Sequence, residues 1–258
     1  MRILSFVDIY VVRARLFPAI LAAAPAFALA VVCVAWDRLA LSQVIATLAL
    51  GVLLFVLADL ARRRGKRIEA IVEKRLGGRP SALRYRDTTL SDVAKARYLV
   101  FLGSKLGEIA PSPADEARDP VAADQFYDRA SAWLREHTRD TKKFSILFEE
   151  NITYGFRRNL YGLKWPALIL NVVVIAISAM VLWFRHFQNW EAPFSEKFSA
   201  VIIIAVLHAL YIAIVVTEKG VIEASRQYAR QLALCCETLM GAEPVRAPTR
   251  RRKPPSAE

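Results

Sequence analysis

Residues 149–184 read EENITYGFRRNLYGLK followed by WPALILNVVVIAISAMVLWF. The second part runs for twenty residues without a charge. As a helix it would rise about 30 Å, the thickness of a bilayer's hydrocarbon core. That core holds no water to satisfy backbone N–H and C=O groups, so the run predicts a membrane-spanning helix. The first part mixes charged, aromatic and glycine residues. It predicts neither a plain amphipathic helix nor a span, and it reads as a hinge between a cytosolic domain and the membrane.

Three further apolar runs lie at 17–36, 44–60 and 198–216. The first is broken only by Pro18 and Pro25. Ala26-Phe27-Ala28 has the look of a signal-peptide cleavage site, but apolar character continues through Val31, Val32 and Val34 to Trp36, which favours an uncleaved span. Only Asp37-Arg38 and Ser42-Gln43 punctuate the passage to the second run, so the two predict a tight hairpin. The last two runs, joined by 185–197 with His186, Trp190 and Pro193, predict another. The expected fold class is all-α: a polytopic membrane protein with two transmembrane hairpins and a mainly helical cytosolic domain.

The 258-residue chain holds 36 Lys+Arg against 24 Asp+Glu, a formal charge of +12. Such a balance invites a nucleic-acid partner. The excess, however, sits at 1–16 (+2), 61–164 (+8) and 217–258 (+3), all on one side of the predicted spans. That is the positive-inside pattern, and it argues against nucleic acid. Arg62, Arg63, Arg64, Lys66 and Arg67 are the strongest topology determinants and suit anionic headgroups. Four spans then place both termini in the cytoplasm of a bacterial inner membrane. Asp59 is expected to pair with Arg62 or Arg63 one turn on, in preference to a functional intramembrane carboxylate.

The predicted organisation is an interfacial segment and first hairpin at 1–60, a cytosolic helical domain at 61–164, and a second hairpin at 165–216. A cytosolic amphipathic helix at 217–241 and a disordered basic tail at 242–258 complete it. The interfacial segment carries Ile3, Leu4, Phe6, Val7, Tyr10 and Val11. The second span should run on as one helix through Ile68, Ile71, Val72 and Leu76 until Gly77-Gly78-Arg79-Pro80 stops it. Within 83–164, Ser91 caps a helix to Leu106. Pro111 to Pro120 bracket an acidic loop. Ala122 to His137 form a helix with Phe126, Ala130, Trp133 and Leu134 on one face, and 143–150 suit strand or helix. So small a domain is expected to pack on the helical extensions of the spans or on another subunit.

No catalytic, metal or cofactor motif is present. Cys33, Cys235 and Cys236 have no ligand spacing. Glu149 and Glu150 could serve as acid and base, but holding Arg157 and Arg158 by paired hydrogen bonds is favoured. Arg157, Arg158 and Asn159 form a candidate site for a phosphate or lipid headgroup, against simple anchoring at the interface. Gly155 and Gly162 allow turns or close packing. Thr138-Arg139-Asp140, after His137, read as a helix end and turn. Asn171, Ser178, His208 and Tyr211 are polar positions within the spans. They favour hydrogen bonding between helices over lining an ion path in an oligomer.

The segments ENITYGFRRNLYGLK, WLREHTRDTKKF and RLGGRPSALRYRD resemble a family of uncharacterised bacterial four-span inner-membrane proteins. The architecture, by span count and chain size, also resembles the four-span effectors of bacterial antiphage systems controlled by nucleotide second messengers. This second likeness implies a membrane-perturbing effector whose cytosolic part senses a nucleotide or a protein partner. Neither likeness assigns functional residues. The function expected is non-enzymatic: an oligomeric membrane effector or channel gated through its cytosolic domain, or else a scaffold recruiting a cytosolic partner. A membrane enzyme is the least favoured class.

Overall fold

A computed structural model of the chain describes residues 8–33, 43–76, 78–186 and 192–241. Their elements are α1 (Ile9–Val11), a π-turn (Val12–Leu16), α2 (Phe17–Cys33), α3 (Gln43–Arg75), α4 (Asp92–Leu106) and α5 (Pro113–Arg118). α6 (Pro120–His137), α7 (Ser145–Gly162), α8 (Lys164–His186), α9 (Ala192–Val215) and α10 (Glu218–Gly241) follow. No strand occurs among the described residues. Three helical stretches are long and apolar enough to cross a membrane: Ile9–Cys33, Lys164–Phe184 and Ser195–Val215. The run at 44–60 forms the first half of α3. The apolar positions Ile3, Leu4, Phe6 and Val7, the turn at 37–42, Gly77, Trp190 and the basic tail lie outside the described residues.

The stretch expected to be a hinge is an uninterrupted helix. α7 absorbs both 145–150, left open between strand and helix, and the whole of ENITYGFRRNLYG. It is amphipathic, with Leu147, Ile152, Gly155, Asn159 and Leu160 buried. The acidic loop is a second correction. Ser112 and Asp115 form a reciprocal capping box with Pro113 in the first turn, and these local bonds wind 113–118 into α5. Ser91 caps α4 as expected, and Gly107, which the sequence reading did not single out, ends it in the left-handed region at φ 67°. Gly78, at φ 131°, donates its N–H to Glu73 O at 2.8 Å beyond the end of α3. Asp59 pairs with Arg63 at 2.6 Å. Thr138 returns its hydroxyl to Leu134 O at 2.8 Å, and the Asp140 carboxylate accepts from the N–H groups of Lys142 and Lys143.

The chain forms two compact units. The first holds Met1–Pro80 and Ser145–Ala229, the second Ser81–Phe144 and Arg230–Glu258. In the first, Ala19, Ala22, Ala61 and Ala167 meet Leu160, Leu163 and Ile212 in one buried cluster. Alanine at these positions lets helix backbones approach closely, the usual way spans gain contact where lipid is as apolar as the protein. A further cluster joins Val174, Val201 and Ala205. Ile169, Val172 and Trp183 of α8 and Ile203, Leu207 and Ile214 of α9 face outward. Exposed apolar faces of that length are untenable in water and natural in lipid.

The second unit is centred on Tyr98, Leu99 and Leu102 of α4 and on Phe126, Tyr127, Ala130 and Leu134 of α6, all buried. Phe101 meets Trp133 edge-on at 5.8 Å. Tyr98 and Arg97 both bond Glu237, the hydroxyl at 2.6 Å.

Candidate functional site

Proline decides where the first unit needs polar side chains. Lacking an N–H, a proline leaves the carbonyl four residues earlier without its helical donor. Pro18 does this to Ala14 and Pro25 to Leu21. A bare carbonyl buried among apolar helices is costly, so another donor must reach it. Asn159 of α7 donates its Nδ2 to Ala14 O at 2.5 Å. The His208 ring of α9 sets Nε2 2.9 Å from Leu21 O. Two of the polar residues singled out by sequence therefore answer the two prolines that interrupt the first apolar run.

The His208 bond extends into a seam across three helices. Asn171 Nδ2, on α8, lies 2.8 Å from Ala167 O and 3.0 Å from His208 Nδ1. A carbonyl only accepts, so in the neutral ring the hydrogen sits on Nε2 and Nδ1 accepts from Asn171. Both amide hydrogens of Asn171 are then used, and α2, α8 and α9 are tied together. Asn171 is 1% exposed. Ser178, two turns further along α8, is fully buried, and its Oγ finds no partner among the described residues. Tyr211 does not join the seam. It is 40% exposed, three residues past His208, with its ring on a cavity towards the end of α9.

The Arg-Arg-Asn triplet is split by its helix. Arg158 is buried and pairs with Glu69 of α3 at 2.8 Å, while Lys66 reaches the same carboxylate at 3.3 Å. Its guanidinium also lies 5.2 Å from the centre of the Tyr154 ring. Asn159 is fully buried. A Cβ on Gly65 would stand 2.8 Å from Asn159 Cγ, so the amide fills the space that this glycine leaves. Neither residue is open to a ligand. Arg157 alone is exposed.

The expected pairing of Glu149 and Glu150 with Arg157 and Arg158 does not form. Glu149 bonds Arg13 at 2.7 Å, and Arg158 turns to Glu69. Glu149 and Arg158 are nine residues apart, so at about 100° per residue they leave opposite sides of α7 and meet different neighbours. The glycines take the packing role and not the turning role. A Cβ on Gly155 would meet Ala14 Cβ at 2.9 Å, and one on Gly162 would meet the Arg64 backbone at 2.8 Å. Gly155, Asn159 and Gly162 thus share one face of α7, against the helix around Ala14 and against α3. Their spacing of four and three is the signal by which that face is legible.

Of the basic residues expected to set topology, Arg63 is held by Asp59 and Lys66 by Glu69, and Arg62 and Arg67 point outward. The backbone of Arg64 supports Gly162.

The second unit carries a polar centre for which sequence offered no motif. Glu116, 5% exposed, accepts from Tyr127 Oη at 2.6 Å, from the N–H groups of Tyr85 and Arg86, and from the Arg86 guanidinium. Burial pushes its carboxyl up. The Tyr127 hydroxyl, the two backbone donors and the Arg86 charge outweigh burial and hold it below the usual range. Asp124 gathers Arg84 at 2.8 Å and Arg86 at 2.6 Å. Lys95, 1% exposed, donates to the carbonyls of Tyr85 and Asp87. Every donor meets an acceptor in this centre, which fixes the 81–87 segment against α5 and α6. Burial raises the Cys235 thiol to about 11 and the Cys236 thiol to about 12, so both stay protonated and unreactive. Among the described residues no three His, Cys, Asp or Glu side chains converge as metal ligands.

No protein-family model, curated protein or solved structure matches this chain.

Proposed function

We propose that the chain is a non-enzymatic bacterial inner-membrane effector that acts as an oligomer and perturbs or conducts across the membrane. Residues 44–60 at the start of α3 supply a fourth span, both termini lie in the cytoplasm, and the 81–144 segment is the cytosolic, gating part. The observation that carries this is the Asn171–His208–Leu21 seam. A histidine within a span is expensive, and an ionisable side chain there is by default a functional feature. The seam ties together three helices that any opening would have to move apart. The outward apolar faces of α8 and α9 supply area for lipid or for further copies, and a chain with so few spans would need several copies to enclose a path.

A specific observation favours the alternative of a scaffold. Val93 and Val100, two turns apart on α4, are 82% and 72% exposed, and Ile109 is 97% exposed. Such a cluster suits a protein partner recruited to the membrane or the second unit of another copy.

Membrane potential in cells expressing the protein, with a reporter fused to the C terminus, separates the two. Depolarisation with the reporter inside, increased by His208→Ala at unchanged membrane abundance because the seam no longer holds the three helices together, is the result expected of an effector. An intact potential with the same topology leaves the scaffold.

A further inference from the structure

A cavity of about 150 Å³ opens in the first unit beside the last turn of α9. Its walls are Phe156 and Leu160 of α7 and Val215 and Val216 at the end of α9, with Tyr211, Thr217 and Arg157 bringing the polar groups. It lies at the ends of two candidate spans, where α7 passes into α8 and α9 gives way to α10. No acidic side chain lines it.

Several cations of this unit are committed to other partners. Arg13 holds Glu149, Arg158 holds Glu69, and Arg75 holds Glu218. Lys164 donates to the carbonyls of Ala213 and Val216 at 2.9 and 2.7 Å, closing the end of α9. Arg157 makes no ion pair or hydrogen bond among the described residues, and its Nη1 lies 3.1 Å from where a Cβ on Gly220 would stand. The missing side chain of Gly220 leaves room for the guanidinium at the cavity. The result is one unpaired guanidinium above apolar walls, with a tyrosine at the level where spans meet headgroups.

We propose that this cavity binds the phosphate ester of an anionic membrane phospholipid. The Arg157 fork takes the phosphate oxygens. Tyr211 provides a second donor, and the Phe156, Leu160 and Val215 wall receives the apolar part of the lipid. A free phosphate shares the first interaction and lacks the last. The inference rests on the membrane placement of these helices and not on pore formation. An intact membrane potential together with Arg157-dependent lipid retention would therefore remove the effector reading and leave this site.

The test uses the full-length protein in nanodiscs of equimolar phosphatidylglycerol and phosphatidylcholine, with retained lipid read by native mass spectrometry after delipidation. Arg157→Gln should lower the retained ratio of phosphatidylglycerol to phosphatidylcholine about fivefold, the scale of one basic residue at an anionic surface. Gly220→Leu, which fills the cavity and keeps the charge, should lower it as well. Arg226→Gln, exposed on α10 and outside the cavity lining, should not. Variants are compared at equal monodispersity in gel filtration. An unchanged ratio in Arg157→Gln overturns the site, and so does an equal loss in Arg226→Gln, which would make the effect one of general surface charge. Displacement of the lipid by inorganic phosphate at millimolar concentration would assign the site to a free anion and overturn the lipid.

Discussion

The two units bury polar groups in opposite ways. In the second the centre is ionic, with Glu116 surrounded by the Tyr127 hydroxyl, two backbone donors and Arg86. Within the candidate spans the centre is neutral, the Asn171 amide and the His208 imidazole matched to each other and to the carbonyls of Ala167 and Leu21. The first unit does bury an ion pair, Arg158 with Glu69, but it lies on α7 and α3, outside the three candidate spans. Desolvating a charge is tolerable where several donors converge on it. Within hydrocarbon the cheaper solution is a neutral group whose donors meet carbonyls, as in the Asn171–His208 pair.

The contrast is sharpened first by Glu116→Ala. It strands the buried Tyr127 hydroxyl and two part-buried N–H groups, leaves Arg86 to Asp124 alone, and should cost about 3 kcal/mol. Amide exchange across 81–144 should accelerate while exchange in α8 and α9 stays as it was. Equal acceleration in both would mean the polar centre does not belong to one unit alone.

Next in size is Gly162→Ala. The new Cβ would meet the backbone of Arg64 and Gly65, which has no rotamer by which to yield. The cost should be about 2 kcal/mol in thermal unfolding in detergent. Gly51→Ala, with nothing within 4 Å of its Cβ, is the helical control and should be neutral or better.

The neutral seam should respond less. Asn171→Ala and His208→Ala should each cost about 1 kcal/mol, with the double variant losing less than the sum. Pro25→Ala restores a helical N–H to Leu21 O and should soften His208→Ala. If His208→Ala costs as much in that background, the imidazole is not there to serve the proline's carbonyl.

The smallest effect should come from pH. The Glu116 carboxyl is lower in the folded state than in the unfolded chain, so its stabilisation is complete above the unfolded value, about 4.3. It is lost as pH falls through the lower folded one. Acidification below about pH 4 should therefore loosen 81–144, and Glu116→Gln should flatten that part of the profile. A profile unchanged by Glu116→Gln would place the acid sensitivity elsewhere.

Composition and periodicity determined much of this protein without help. Twenty uncharged residues at 165–184 can only be a helix if they are to lie in lipid, because the backbone must satisfy itself. Ser91 and Gly78 act through bonds within a few residues, so they too are legible locally. What tertiary structure decided is who answers whom. Pro18 and Pro25 announce that two carbonyls need donors, but Asn159 and His208 reach them across sequence separations of 145 and 187 residues. Adjacent Arg157 and Arg158 have identical chemistry, yet one is consumed by Glu69 and the other is left at a cavity. The direction each takes from α7 is set by the helix's rotation against α3 and α9, and only the packed structure holds that information.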